Sequence, residues 1–174
     1  MNKFISVVLI FVSFCYVKAQ EGYPKPSEKD GLLFYIQHNR GKNTFIYALN
    51  LTDDRKINLE NPIRVYRQIF DKNGEIKPLT TIQKNFAYGI DTKRINDHFF
   101  EATIVSLPSQ KFNLIIPAKG KPFVETSVNG IKFIVNRIYI KQKDGTSGLS
   151  TKVDYILFYG IHEKKEIIQR LNID

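Results

Sequence analysis

From Gly31 onward, apolar and polar residues alternate with a period of two. The runs are rich in Ile, Val, Phe and Tyr and are broken at short intervals by Gly, Pro, Asn and Asp. A period of two belongs to strands with one buried face. It predicts strands over 32–38, 43–50, 62–70, 87–95, 98–106, 111–117, 122–128, 131–141 and 152–161. The breaks carry their own mechanism. Asn129-Gly130, between FVETSV and IKFIVNRIYI, suits the two positive-φ positions of a two-residue hairpin. Asn73-Gly74, Asp144-Gly145 and Asn96-Asp97 are looser turn signals of the same kind. Pro62, Pro108, Pro117 and Pro122 all fall at strand ends or turns, where a missing N–H breaks no ladder.

One segment departs from this period. In KPLTTIQKNFAYG, Leu79, Ile82 and Phe86 share a helical face, and Thr80 and Gln83 have capping-box spacing. Pro78 stands where a helix would begin, so a two-turn helix is expected that crosses between parts of the sheet or plugs an open end. The C-terminal HEKKEIIQRL reads either as a second helix or, over its last residues, as an edge strand.

These elements predict an all-β fold, an antiparallel sandwich or barrel of about 8–9 strands with one short helix, forming a single domain over 31–174. A lipocalin-type barrel would need a Gly-x-Trp signature, and the chain has no Trp. Its 13 Phe and 9 Tyr fill space rather than line a void, which favours the sandwich.

The start of the chain changes the picture of where such a domain works. Met1 to Lys3 is a short basic opening, Phe4 to Val17 is almost wholly apolar, and Val17-Lys18-Ala19 matches a signal-peptidase site. A signal peptide over 1–19 is expected, with secretion to the periplasm or cell surface. The apolar run is shorter than the roughly 20 residues a membrane span needs, and Phe14 stands before Cys15 where a lipidation site wants a small residue. Residues 20–30, with EGYPKPSEKD, read as a flexible tether.

Cleavage would remove Lys3, Lys18 and the chain's one Cys, taking the formal charge from +9 to +7 and leaving a secreted domain without disulfides. The positive charge is dispersed in pairs such as Lys119/Lys121, Lys141/Lys143 and Lys164/Lys165. Such dispersion argues against nucleic acid and leaves room for an anionic or amphiphilic ligand of the cell envelope. A monomer is expected.

Several chemistries lack their parts. His38, His98 and His162 have no metal-ligand spacing, no Ser lies in a GxSxG elbow, and no glycine-rich phosphate loop is present. No cofactor or metal is implied. Two polar groupings remain. The first is the hairpin tip of LFYIQHNRGKNTFIYALN, where His38, Asn39, Arg40, Lys42 and Asn43 offer donors for an oxyanion or sugar, or else form a solvated turn around Gly41. The second is Arg137, which by strand period shares a face with Phe133, Val135 and Tyr139. Asp154 is its candidate partner, either ordering a core or leaving the guanidinium to recognise an anion.

Three phrases together resemble a known family. They are the hairpin FYIxxNxxxNxxxYxxN, the strand opening NPIxVY, and IQxxxAYG at the helix exit, spanning Leu32 to Ile90, with the remainder to Gly160 similar in its β character. The pattern resembles the domain of unknown function DUF4833, found in secreted bacterial proteins. The resemblance implies an envelope protein and carries no activity with it. The positions it singles out here are Asn39, Asn43, Asn61, Pro62, Tyr66, Tyr88 and Gly89. Where the family usually shows Trp after Val65-Tyr66, this chain has Arg67.

The candidate ligand-binding residues are therefore His38, Asn39, Arg40, Asn43, Tyr66, Tyr88 and Arg137, in a non-enzymatic binding or structural module. The alternative is a hydrolase or lyase acting on an envelope polysaccharide or phosphoester, with Tyr88 as acid, Arg40 as clamp and His38 as base. That alternative requires the three groups to meet within about 3 Å of one point.

Overall fold

The computed structural model describes residues 23–26 and 31–173. The expected signal peptide, its cleavage site and Cys15 lie outside these residues, as does most of the expected tether. Eleven strands follow in order: β1 Leu32–His38, β2 Asn43–Leu49, β3 Ile63–Ile69, β4 Glu75–Pro78, β5 Ile90–Asn96, β6 Phe99–Ile104, β7 Lys111–Ile115, β8 Phe123–Val128, β9 Ile131–Gln142, β10 Val153–His162 and β11 Lys165–Asn172. All belong to one sheet, so the all-β class read from the alternation holds. The two strands beyond the expected nine are β4 and β11.

The organising element is β9. Along one edge its first residues, Ile131 to Ile134, pair with β8, while Arg137 to Ile140 pair with β1. Along its other edge it pairs with β10 over nearly its whole length. Two wings therefore diverge from it, β1-β2-β3-β4 and β8-β7-β6-β5. They curl toward each other until β3 touches β5. Every ladder is antiparallel except β1 with β9, which is parallel. A parallel pair needs a long connection, and here the connection is all of β2 to β8.

The core fills the space between the wings. Phe34 on β1 stacks on Tyr47 of β2 at 4.4 Å and on Phe112 of β7 at 5.6 Å. Phe100, Leu114, Val124, Val135, Ile138, Ile156 and Phe158 belong to the same buried cluster. Aromatic side chains bury large areas each and prefer offset or tilted contacts, so rings from both wings hold the curl shut.

Two turns show how the ladders are joined. Asn129 and Gly130 have φ of 53° and 78° and connect β8 to β9, as the Asn-Gly signal predicted. The β10–β11 hairpin instead places Glu163 and Lys164 at φ of 48° and 67°. No glycine marks that turn in the sequence, which is why HEKKEIIQRL reads equally well as helix or strand.

The helix forms where it is expected and joins β4 to β5, the outer edges of the two wings. Thr80 and Gln83 make the reciprocal capping box, and Thr81–Gln83 continues into a wider π turn over Lys84–Tyr88. Its burial differs from the amphipathic reading. Leu79 and Tyr88 pack on the core, but Ile82 and Phe86 remain 60% and 64% exposed. The π widening changes the angular step between residues, so only the ends of the segment turn inward. Gly89 closes the turn, where a Cβ would collide with the Lys84 carbonyl oxygen.

Candidate functional site

The hairpin tip after β1 is built into the sheet. His38 is the last residue to pair with β9, opposite Ile140. Asn39 then continues the pairing with its side chain: Gln142 N–H donates to Asn39 Oδ1 at 2.7 Å, and Asn39 Nδ2 donates to the Gln142 carbonyl at 3.2 Å. The carboxamide thus stands in for a strand residue, satisfying the end of β9 where the β1 backbone turns away. Arg40 reaches the same hairpin and donates from Nη2 to the Lys143 carbonyl at 2.5 Å. Asn43 opens β2 opposite Ile69. Lys42 makes an exposed ion pair with Asp71 at 3.6 Å.

His38 and Tyr88 do approach a common residue. His38 lies tilted against Phe45 at 6.1 Å, and Tyr88 stacks on Phe45 at 3.4 Å. Burial, helped by the neighbouring Arg40 charge, holds His38 below its ordinary pKa, and its Nδ1 accepts from the Arg40 N–H. Burial pushes the Tyr88 hydroxyl up to about 12. The Tyr88 carbonyl accepts the Tyr47 hydroxyl at 2.8 Å, tying the π turn to the core. Arg67, at the position where the resemblance suggests Trp, continues the buried row Ile138–Ile36–Phe45 across β3 toward Lys77. Its Nε is buried without a hydrogen-bond partner.

Arg137 does not occupy the place the strand period gives it. β9 carries a bulge: Val135 pairs with Gly160 and Arg137 with Tyr159, leaving Asn136 without an opposite residue. An inserted residue reverses the facing of everything beyond it. Phe133 and Val135 therefore point into the core before the bulge and Ile138 and Ile140 after it, while Arg137 and Tyr139 turn to the outer face. Gly160 permits the bulge, since a Cβ there would strike the Ile134 carbonyl oxygen. Asp154 is not the partner: it is an exposed residue at a second irregularity, between Val153 and Tyr155. Arg137 instead lies 4.9 Å from the Tyr159 ring centroid and 6.0 Å from that of Tyr139.

The seven candidates therefore separate into two groups. His38, Asn39, Arg40, Asn43 and Tyr88 gather at the end of the core near Phe45 and the β9–β10 hairpin. Tyr66 and Arg137 share the outer face in one row, Tyr66–Ile46–Tyr35–Arg137–Tyr159–Ile168. Three strand steps part them, about 14 Å at the usual spacing. Asn61 contributes its carbonyl to Asn50 Nδ2 at 2.9 Å, and the Pro62 carbonyl accepts from Asn50 N–H at 2.8 Å, both closing the loop before β3.

The remaining histidines bond main chain, His98 Nδ1 to the Ile116 carbonyl at 3.1 Å and His162 Nδ1 to the Lys132 carbonyl at 2.7 Å. The outer-face residues Tyr35, Tyr139, Tyr155, Tyr159, Arg64 and Arg170 were missed as a group. Their signal is faint but present: two tyrosines four positions apart, and so on one face, in the strand VDYILFYG, and Arg64 two residues before Tyr66.

The fold is thus an all-β curled sheet whose two wings close around an aromatic core. The sequence model of DUF4833, a domain of unknown function, matches residues 34–170, and the chain belongs to that family. No curated protein and no solved structure matches it.

Proposed function

We propose that the protein is an exported, non-catalytic β module of the cell envelope that holds an anionic or amphiphilic ligand. The observation carrying the non-catalytic part is how the tip uses its polar groups. Asn39 is bonded at both ends of its amide to Gln142, and Arg40 to the Lys143 carbonyl. The hydrolase reading needs Arg40 as a clamp beside His38 and Tyr88. It also needs Tyr88 to yield a proton, which a hydroxyl held at about 12 does poorly at neutral pH.

Export is supported by the basic opening, the short apolar run and Val17-Lys18-Ala19. A monomer is supported by the edge strands β4 and β11, which carry Glu75, Lys77 and Pro78 on one side and Lys165, Glu166 and Arg170 on the other. Charges and proline at sheet edges oppose pairing with another copy.

The test is fractionation of producing cells, followed by incubation of the purified protein with envelope material. An N-terminus at Gln20, with sedimentation on the envelope and no soluble product released, is the expected result. An intact Met1 in the cytosol refutes export. Release of sugar or phosphate, lost in His38→Ala and Tyr88→Phe, refutes the non-catalytic reading.

A further inference from the structure

The outer face of β4-β3-β2-β1-β9-β10-β11 carries three arginines, each laid on a tyrosine. Arg170 is 4.0 Å from the Tyr155 ring centroid, Arg137 is 4.9 Å from that of Tyr159, and Arg64 is 5.6 Å from that of Tyr66. The register rows of this face run Tyr66–Ile46–Tyr35–Arg137–Tyr159–Ile168 and Tyr139–Leu157–Arg170, with Lys141–Tyr155–Asn172 beyond. None of these positions is Asp or Glu. Arginines on a protein surface are usually matched by carboxylates; here Arg64 and Arg137 are matched by ring faces, and Arg170 by a ring face and by Asn172, whose Oδ1 accepts from Arg170 Nε at 2.9 Å.

Arg137 sharpens the observation. Its Nε and Nη2 are buried and make no hydrogen bond. Stacking on a ring attracts the guanidinium charge but satisfies none of its N–H donors, and unpaired buried donors are rare enough to require a reason.

We infer that this face binds an acidic polysaccharide, its carboxylates meeting the exposed guanidinium forks of Arg64 and Arg170 beside the buried charge of Arg137, and its sugar rings lying on the tyrosines. The inference rests on the binding-module reading above and supplies that reading with a surface and a ligand class. Guanidinium forks match carboxylates bidentately. Tyr35, Tyr66, Tyr155 and Tyr159 are part-exposed, and such flat rings on β1, β3 and β10 offer an apolar platform. The strands step about 4.8 Å apart, so an extended chain crossing them meets a ring or a guanidinium at most steps. The cations stand singly among aromatics instead of forming a block, which favours a glycan over a polyphosphate. The face also demonstrably takes an extended strip. Tyr23 packs edge-on to Tyr139 at 5.5 Å, Gln37 Nε2 donates to the Pro24 carbonyl at 2.8 Å, and Pro26 is buried. This segment is bound beside the Arg137–Tyr159 and Arg170–Tyr155 couples.

The full chain is titrated with polygalacturonate, neutral dextran and linear polyphosphate, and separately with envelope material. Binding to polygalacturonate that weakens with salt, with none to dextran, is expected. Arg137→Gln and Arg170→Gln should each weaken it about fivefold or more, and Tyr155→Ala likewise. Lys121→Gln, an equal loss of charge on the other wing, should change it less than about twofold. Arg170 is exposed, so Arg170→Gln decides the matter if Arg137→Gln does not fold. Equal weakening by Lys121→Gln, or polyphosphate binding as tight as polygalacturonate and indifferent to Tyr155→Ala, overturns the proposal in favour of diffuse charge. Binding that appears only when residues 23–26 are deleted also overturns it, because the face then belongs to the chain's own segment. If wild-type protein binds envelope material but not polygalacturonate, this inference fails and the binding-module reading stands. If it binds neither, both fail.

Discussion

Replacing Asn39 by Ala removes both hydrogen bonds that tie the β1 tip to Gln142, at 2.7 and 3.2 Å. Each intramolecular hydrogen bond contributes roughly 0.5–1.5 kcal/mol net. Gln142 is part-exposed, so water recovers some of what its N–H and C=O lose. A destabilisation of about 2 kcal/mol is the resulting expectation. For a domain of this size that is about 4–8 °C in Tm, at about 2–4 °C per kcal/mol. Urea unfolding should show the midpoint falling with the slope unchanged, because no buried apolar surface is altered. Asn39→Asp keeps the acceptor for the Gln142 N–H but loses the donor to its carbonyl, and should fall between wild type and Ala. Arg40→Ala, one residue on, removes an exposed guanidinium and should cost less than about 1 kcal/mol. If Asn39→Ala unfolds with wild-type Tm and instead loses envelope binding, Asn39 is a ligand group and the reading of the tip as a structural corner is wrong.

Gly160→Ala should cost about 3 kcal/mol by urea titration, because its Cβ meets the Ile134 carbonyl and lies 2.6 Å from Phe133 Cδ2; a neutral result would mean the β9 bulge is not rigid. Tyr47→Phe removes the hydroxyl bonded to the Tyr88 carbonyl and should cost about 1–2 kcal/mol, read as a lower Tm with native circular dichroism. His38 titrates below its ordinary value because of burial and Arg40. The unfolded chain therefore binds the proton first, and stability is complete above about pH 6.5 and lost as pH falls toward the folded-state value. The urea midpoint of wild type minus that of His38→Gln should decline on acidification, and a rise would contradict the burial argument.

The face assigned to Arg137 shows where sequence reasoning breaks. Strand period places it with Phe133 and Val135, and nothing local to FIVNRIYIK marks Asn136 as the extra residue. The bulge exists because β9 changes partner midway, from β8 to β1, while β10 follows its other edge. That is a demand of the whole sheet, invisible to any window of neighbours. Gly160 is the complementary trace of the bulge, but it lies 24 positions away and means something only once paired.

Asn39 presents the same difficulty in a different form. In sequence it is a turn asparagine beside a histidine and an arginine, equally suited to a ligand. Its role as a substitute strand residue depends on Gln142, more than a hundred residues downstream.

What the sequence determined by itself is what short-range physics encodes: the β class through alternation, the Asn129-Gly130 hairpin through positive φ, the capping box at Thr80 and Gln83, and the breaks at proline. Each depends on residues within a few positions of one another. The parallel β1–β9 pair, the bulge at Asn136, the outward turn of Arg137 and the assembly of arginines on tyrosines from β3, β9, β10 and β11 were decided only by tertiary structure. Those features arise where distant strands compete for the same edge and face, and the register that settles the competition is a property of the folded sheet.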